Sequence, residues 1–85
     1  MNLCVVSTFD CTVEDFTAMV EEFDEEMRTC VAGYEIGVVG PHKVMIMLDV
    51  TDMDVFTGVM ASPKMKAWDA ANNCVDVVYG IEQIN

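Results

Sequence analysis

The sequence predicts an α+β fold in the order β-α-β-β-α-β, with one antiparallel four-stranded sheet and the helices on one of its faces. Three observations carry this prediction: short β-branched runs at both ends of the chain and in a central pair, an apolar 3.6-residue period after the first run, and a proline-interrupted helical stretch after the third. At 85 residues the chain has room for one core, so residues 1–85 are read as a single domain.

Leu3-Cys4-Val5-Val6-Ser7-Thr8-Phe9 is apolar on both alternating sets, the pattern of a central strand. Thr12 and Asp15 form a T-x-x-D helix start, in which each side chain satisfies a backbone N–H that the first helical turn leaves open. Val13, Phe16, Met19, Val20, Phe23 and Met27 then recur at three- and four-residue steps, with Glu14, Glu21, Glu22, Asp24, Glu25 and Glu26 on the wet faces.

Gly33–Val39 and Lys43–Val50 flank Gly40-Pro41-His42, which predicts a hairpin. In its second strand Val44, Ile46, Leu48 and Val50 are aliphatic, whereas Met45, Met47 and Asp49 are flexible or charged. The aliphatic set is assigned to the helix side and the other set to the opposite face. Thr51-Asp52 starts a second helical stretch, Ser62-Pro63 restarts it as far as Trp68, and Asn72-Asn73 ends it. Cys74–Glu82 alternates as the last strand, with Val75, Val77, Tyr79 and Ile81 on one side.

This order is ferredoxin-like. Right-handed crossovers put both helical stretches on one side of the sheet and leave the other side bare. Hydrophobic residues make up 53% of the chain, more than a small domain with a mostly wet surface needs, so the bare face is read as the interface of a homodimer.

Four Lys and Arg against 15 Asp and Glu give a net charge of −11, which repels phosphates and anionic headgroups and excludes nucleic acid and membrane as partners. The longest apolar runs are strand length, far short of the ~20 residues of a membrane span. Cys4, Cys11, Cys30 and Cys74 include no C-x-x-C pair, and no signal-like segment precedes the domain, so reduced cysteines and a cytoplasmic setting are expected. Matching the centres of the first and last strands brings Cys11 and Cys74 toward each other, as small apolar side chains before a redox pair.

His42 is the only histidine and sits at the predicted hairpin tip, so neither a metal site nor a cofactor is predicted. Tyr34, Met45, Met47 and Trp68 are candidate walls of an apolar ligand pocket, as an alternative to plain core or interface packing. Asp49 shares a predicted face with Met45 and Met47 and is the candidate acid. No Ser-His-Asp set and no glycine-rich phosphate loop is present.

Met47-Leu48-Asp49-Val50, an apolar strand containing an acid, followed by a helix and the step Ala61-Ser62-Pro63-Lys64-Met65, resembles the dimeric α+β barrel superfamily, in particular the antibiotic-biosynthesis-monooxygenase-like domains and their uncharacterised relatives. The resemblance implies that two chains pack their bare sheet faces together, each keeping a cavity for a small, often aromatic or quinone-like, molecule. It also implies a histidine three residues before the Ser-Pro step, where this chain has Val59, and no residue matches a haem-binding group. Two functions follow as expectations: binding or oxidation of a small apolar metabolite, or a non-catalytic domain whose apolar face is only a dimer interface.

Overall fold

The computed structural model describes residues 1–84. Strand β1 (Leu3–Thr8) is apolar on both sides because it is central: β3 (Lys43–Val50) and β4 (Val75–Gly80) both pair with it antiparallel. Strand β2 (Val31–Gly40) pairs antiparallel with β3, which gives the sheet order β2-β3-β1-β4. Between the strands lie α1 (Val13–Glu22), α2 (Asp24–Arg28), α3 (Met53–Met60) and α4 (Pro63–Asn72). This is the ferredoxin-like α+β arrangement expected from the sequence, with each helical stretch divided in two.

The capping predicted from sequence holds. Thr12 accepts from the Asp15 N–H at 3.1 Å while the Asp15 carboxylate accepts from the Thr12 N–H at 3.3 Å. Asp52 and Ser62 accept from the N–H groups of Val55 and Met65, and Asn73 closes α4 in the left-handed region at φ 48°.

The first break falls at Phe23, where the backbone leaves helical geometry (φ −91°, ψ 7°) while the ring stays 2% exposed in the core. Charge gives a physical reason. In one continuous helix Asp24, Glu25 and Glu26 would crowd the negative C-terminal half; in α2 they occupy the first turn, where the helix dipole favours them. Arg28 closes that turn against Asp24 at 2.7 Å. The second break is Ser62-Pro63, because Pro63 has no N–H to give to the preceding turn.

Register settles which face each strand residue takes. Leu3, Val5 and Ser7 lie opposite Leu48, Ile46 and Val44, and Tyr34, Ile36 and Val38 lie opposite the same three from the other side. These residues face the helices, as the aliphatic set of β3 was expected to do. The opposite face carries Cys4, Val6, Met45, Met47, Asp49, Val75, Val77 and Tyr79.

Two groups of buried residues fill the space between sheet and helices. One contains Leu3, Val5, Leu48, Val50 and Phe56; the other contains Phe9, Phe16, Phe23, Val44 and Met65. Phe9, expected in the first strand, instead leaves the sheet to stack on Phe16 with ring centroids 5.0 Å apart. The last strand ends at Gly80 rather than Glu82, and β2 begins at Val31, ahead of Gly33. Asn2 lengthens the β1 side of the sheet through its side chain, which donates to the Val50 carbonyl at 2.8 Å and accepts the Val50 N–H at 2.9 Å. No helix among the described residues is long and apolar enough to cross a membrane.

Candidate functional site

Between the two core groups the side chains do not close completely. A cavity lies under the helices, bounded by Val5 and Leu48 of the sheet and by Phe16, Phe23, Phe56, Met60 and Met65 of the helices. Its volume is about 60 Å³. Against the ~150 Å³ of an apolar cavity that takes benzene, this is room for a short alkyl group only.

One end of this apolar space is polar. Asp76 sits on β4 directly opposite Ser7, and strand alternation turns both toward the helices. Ser7 is 1% exposed, and its hydroxyl donates to Asp76 Oδ1 at 2.6 Å, so the buried donor is satisfied by a charged acceptor. The Cys74 thiol donates to the same oxygen at 3.6 Å. Asp69, near the end of α4, completes the group: one ligand atom each from Asp69, Cys74 and Asp76 lie within 4.8 Å of one another. The left-handed cap at Asn73 turns the chain here, and the Cys74 N–H bonds the Asp69 carbonyl at 2.8 Å.

The electrostatics follow from crowding without a cation. Burial, and then the charge of Asp76, raises the Asp69 carboxyl above the ordinary carboxylate range, with the Cys74 hydrogen bond opposing. Burial followed by the charges of Asp76 and Asp69 pushes the Cys74 thiol up so far that it stays protonated at neutral pH. Cys74 is therefore a hydrogen-bond donor and not a nucleophile. The chemistry available is acceptance of a proton or hydrogen bond by carboxylates at the end of an apolar space.

The five residues singled out from sequence do not line one pocket. Tyr34 faces the helices and stands at the cavity rim, 42% exposed. Trp68 packs edge-on against Phe16, centroids 5.9 Å apart at 74°, supporting the cavity wall rather than lining it. Met45, Met47 and Asp49 are exposed on the opposite side of the sheet, which separates them from the cavity. The reason is the pleat: Tyr34 pairs with Leu48, so it shares the even-numbered face of β3 and cannot share the odd one.

The acids at the cavity end were not singled out from sequence. Asp76 is the one acid in an otherwise apolar strand segment, Val75–Gly80, and that isolation was the available sign. His42 is an exposed turn residue, its Nδ1 2.8 Å from the Cys11 carbonyl, where it pins the hairpin tip to the start of α1. Cys11 and Cys74 pack against the same core group, and all four cysteines are free.

The fold is shared with solved structures of distant sequence. SnoaB, a cofactor-independent oxygenase from Streptomyces nogalater, is similar at TM-score 0.64 and 11% identity, over 96% of this chain and 92% of that one. An antibiotic biosynthesis monooxygenase gives 0.57 at 11% identity with 100% of both chains covered. A dimeric ferredoxin-like protein of unknown function from Thermobifida fusca gives 0.50 at 14% identity, over 95% of this chain and 92% of that one. No family model and no curated protein matches the chain.

Proposed function

Taking as premise the ferredoxin-like fold shared with the antibiotic biosynthesis monooxygenase-like structures, we propose that this chain is a homodimeric domain that binds a small apolar molecule between its sheet and its helices. The observation that carries the reading is the cavity itself: apolar walls ending in Ser7, Asp69, Cys74 and Asp76. A few polar groups converging on an apolar space are what orient a ligand that the walls hold by burial. A domain acting only through its outer sheet face has no use for partly buried acids in that position.

The homodimer rests on the open face. Met45, Met47, Val77 and Tyr79 are 40%, 36%, 47% and 53% exposed there, a contiguous apolar surface that water does not favour. A second copy presenting the same face covers it by two-fold symmetry, and the dimeric relative of the same fold supports this arrangement.

The oxygenase reading adds a base to the binding site. A cofactor-independent oxygenase, as SnoaB is described, draws its reactivity from the substrate, and a positioned carboxylate is suited to take the substrate proton. Asp76, held by Ser7, is the residue assigned that role.

Sedimentation velocity is expected to give a dimer for the wild-type chain and loss of the dimer for Met47→Asp. Saturation-transfer NMR with 1-pentanol, a short-chain alcohol, is expected to detect a saturable site. An unchanged dimer rejects the interface, and absence of saturable transfer rejects the cavity as a binding site.

A further inference from the structure

The walls of the cavity and the charges at its ends narrow the ligand class beyond "small and apolar", on the premise that the cavity is the binding site. Among the described residues, those bounding it include three acids, Asp24, Asp69 and Asp76, and no Lys, Arg or His. The acids differ in their partners. Asp24 is paired with Arg28 at 2.7 Å, so its charge is already answered. Among the described residues, Asp76 takes hydrogen bonds from the neutral groups of Ser7 and Cys74, both at Oδ1, and Asp69 lies beside it. This end of the cavity therefore holds two neighbouring carboxylates with neutral donors and no cation.

An anionic ligand is repelled from such an end, and a neutral hydroxyl answers only one hydrogen bond of the pair. A cation with several N–H donors answers both carboxylates at once, through the stronger, charge-assisted kind of hydrogen bond. The net charge of −11 acts in the same direction at long range, concentrating cations around the molecule. The apolar walls in turn require the remainder of the ligand to be hydrocarbon, and the free space limits it to a short chain.

We propose that the cavity takes a small aliphatic amine as its ammonium ion, the alkyl chain among Phe16, Phe23, Met60 and Met65 and the ammonium group between Asp69 and Asp76. The Asp69 carboxyl, raised by burial and by Asp76, then ionises more readily once the cation is in place, so binding releases part of a proton.

The test compares three probes of one shape on the full chain at pH 7: pentylammonium, 1-pentanol and pentanoate, by competitive saturation-transfer NMR. The amine is expected to bind roughly tenfold more tightly than the alcohol, and pentanoate more weakly than either. Asp69→Asn and Asp76→Asn each reduce that preference to a few-fold at most, whereas Glu14→Gln, which removes an exposed charge from α1, leaves it intact. If Asp76→Asn fails to fold, Asp69→Asn decides. Equal affinity for amine and alcohol overturns the amine while leaving the cavity in place as a binding site. A preference unchanged in Asp69→Asn also overturns the amine, and binding of none of the three overturns both.

Discussion

Replacing Ser7 by alanine removes one hydroxyl from the floor of the cavity and leaves the β1 ladder intact, because the backbone of β1 pairs the same way with either residue. Ser7 is 1% exposed and donates to Asp76 Oδ1 at 2.6 Å, so the change takes a buried donor from a charged acceptor. Hydrogen bonds to charged groups contribute about 1.5–3 kcal/mol, and the weak Cys74 thiol at 3.6 Å is a poor replacement. At roughly 4–8 °C per kcal/mol for a domain of this size, the melting temperature falls by about 6–24 °C. The assay is urea unfolding at one fixed protein concentration, since the stability of the proposed dimer depends on concentration. Repeating it in an Asp76→Asn background isolates the charge: there Ser7→Ala costs only the ~0.5–1.5 kcal/mol of a neutral pair. A loss below ~0.5 kcal/mol in the wild-type background, or the same loss in both backgrounds, refutes the reasoning.

Three further outcomes follow from the same structure. Val44→Ala, at a site of 0% exposure, costs about 2 kcal/mol in urea unfolding, while Val39→Ala, at 56% exposure, stays within ~0.5 kcal/mol. Thr12→Ala removes the reciprocal cap of α1 and costs about 1 kcal/mol, read in the same experiment. Asp69→Asn changes the pH profile: because the folded carboxyl titrates above its ordinary value of 3.8, its favourable contribution is complete below that value and is lost as pH rises through the raised one. The Asn variant therefore gains stability relative to wild type as pH rises above that ordinary value, and parallel profiles contradict the assignment.

The fold was legible because its signals are local. The T-x-x-D step at Thr12, the Ser62-Pro63 step and the alternation in Lys43–Val50 each fix an element without reference to the rest of the chain. The odd-numbered face of β3 was also placed on the bare side before any register was known. The site was less legible because it depends on pairings between distant segments. That Tyr34 shares a face with Leu48 is decided by the register of β2 on β3, and that Asp76 meets Ser7 is decided across 69 residues of sequence. Aromatic and methionine residues drew attention by type, so Trp68 and Met45 were grouped although the sheet separates them. A single acid among valines in Val75–Gly80 carried the relevant information, but alternation alone did not say which side of β4 faced the helices.

The eight methionines report on both faces of the sheet at once. Met19, Met27, Met60 and Met65 bound the cavity, and Met45 and Met47 lie on the open face. Methyl NMR of protein labelled with [ε-13C]methionine, titrated with 1-pentanol, separates the two sides directly. Saturable shifts at the four cavity methyls with Met45 and Met47 unmoved are the predicted result; shifts confined to Met45 and Met47 contradict a binding site between sheet and helices.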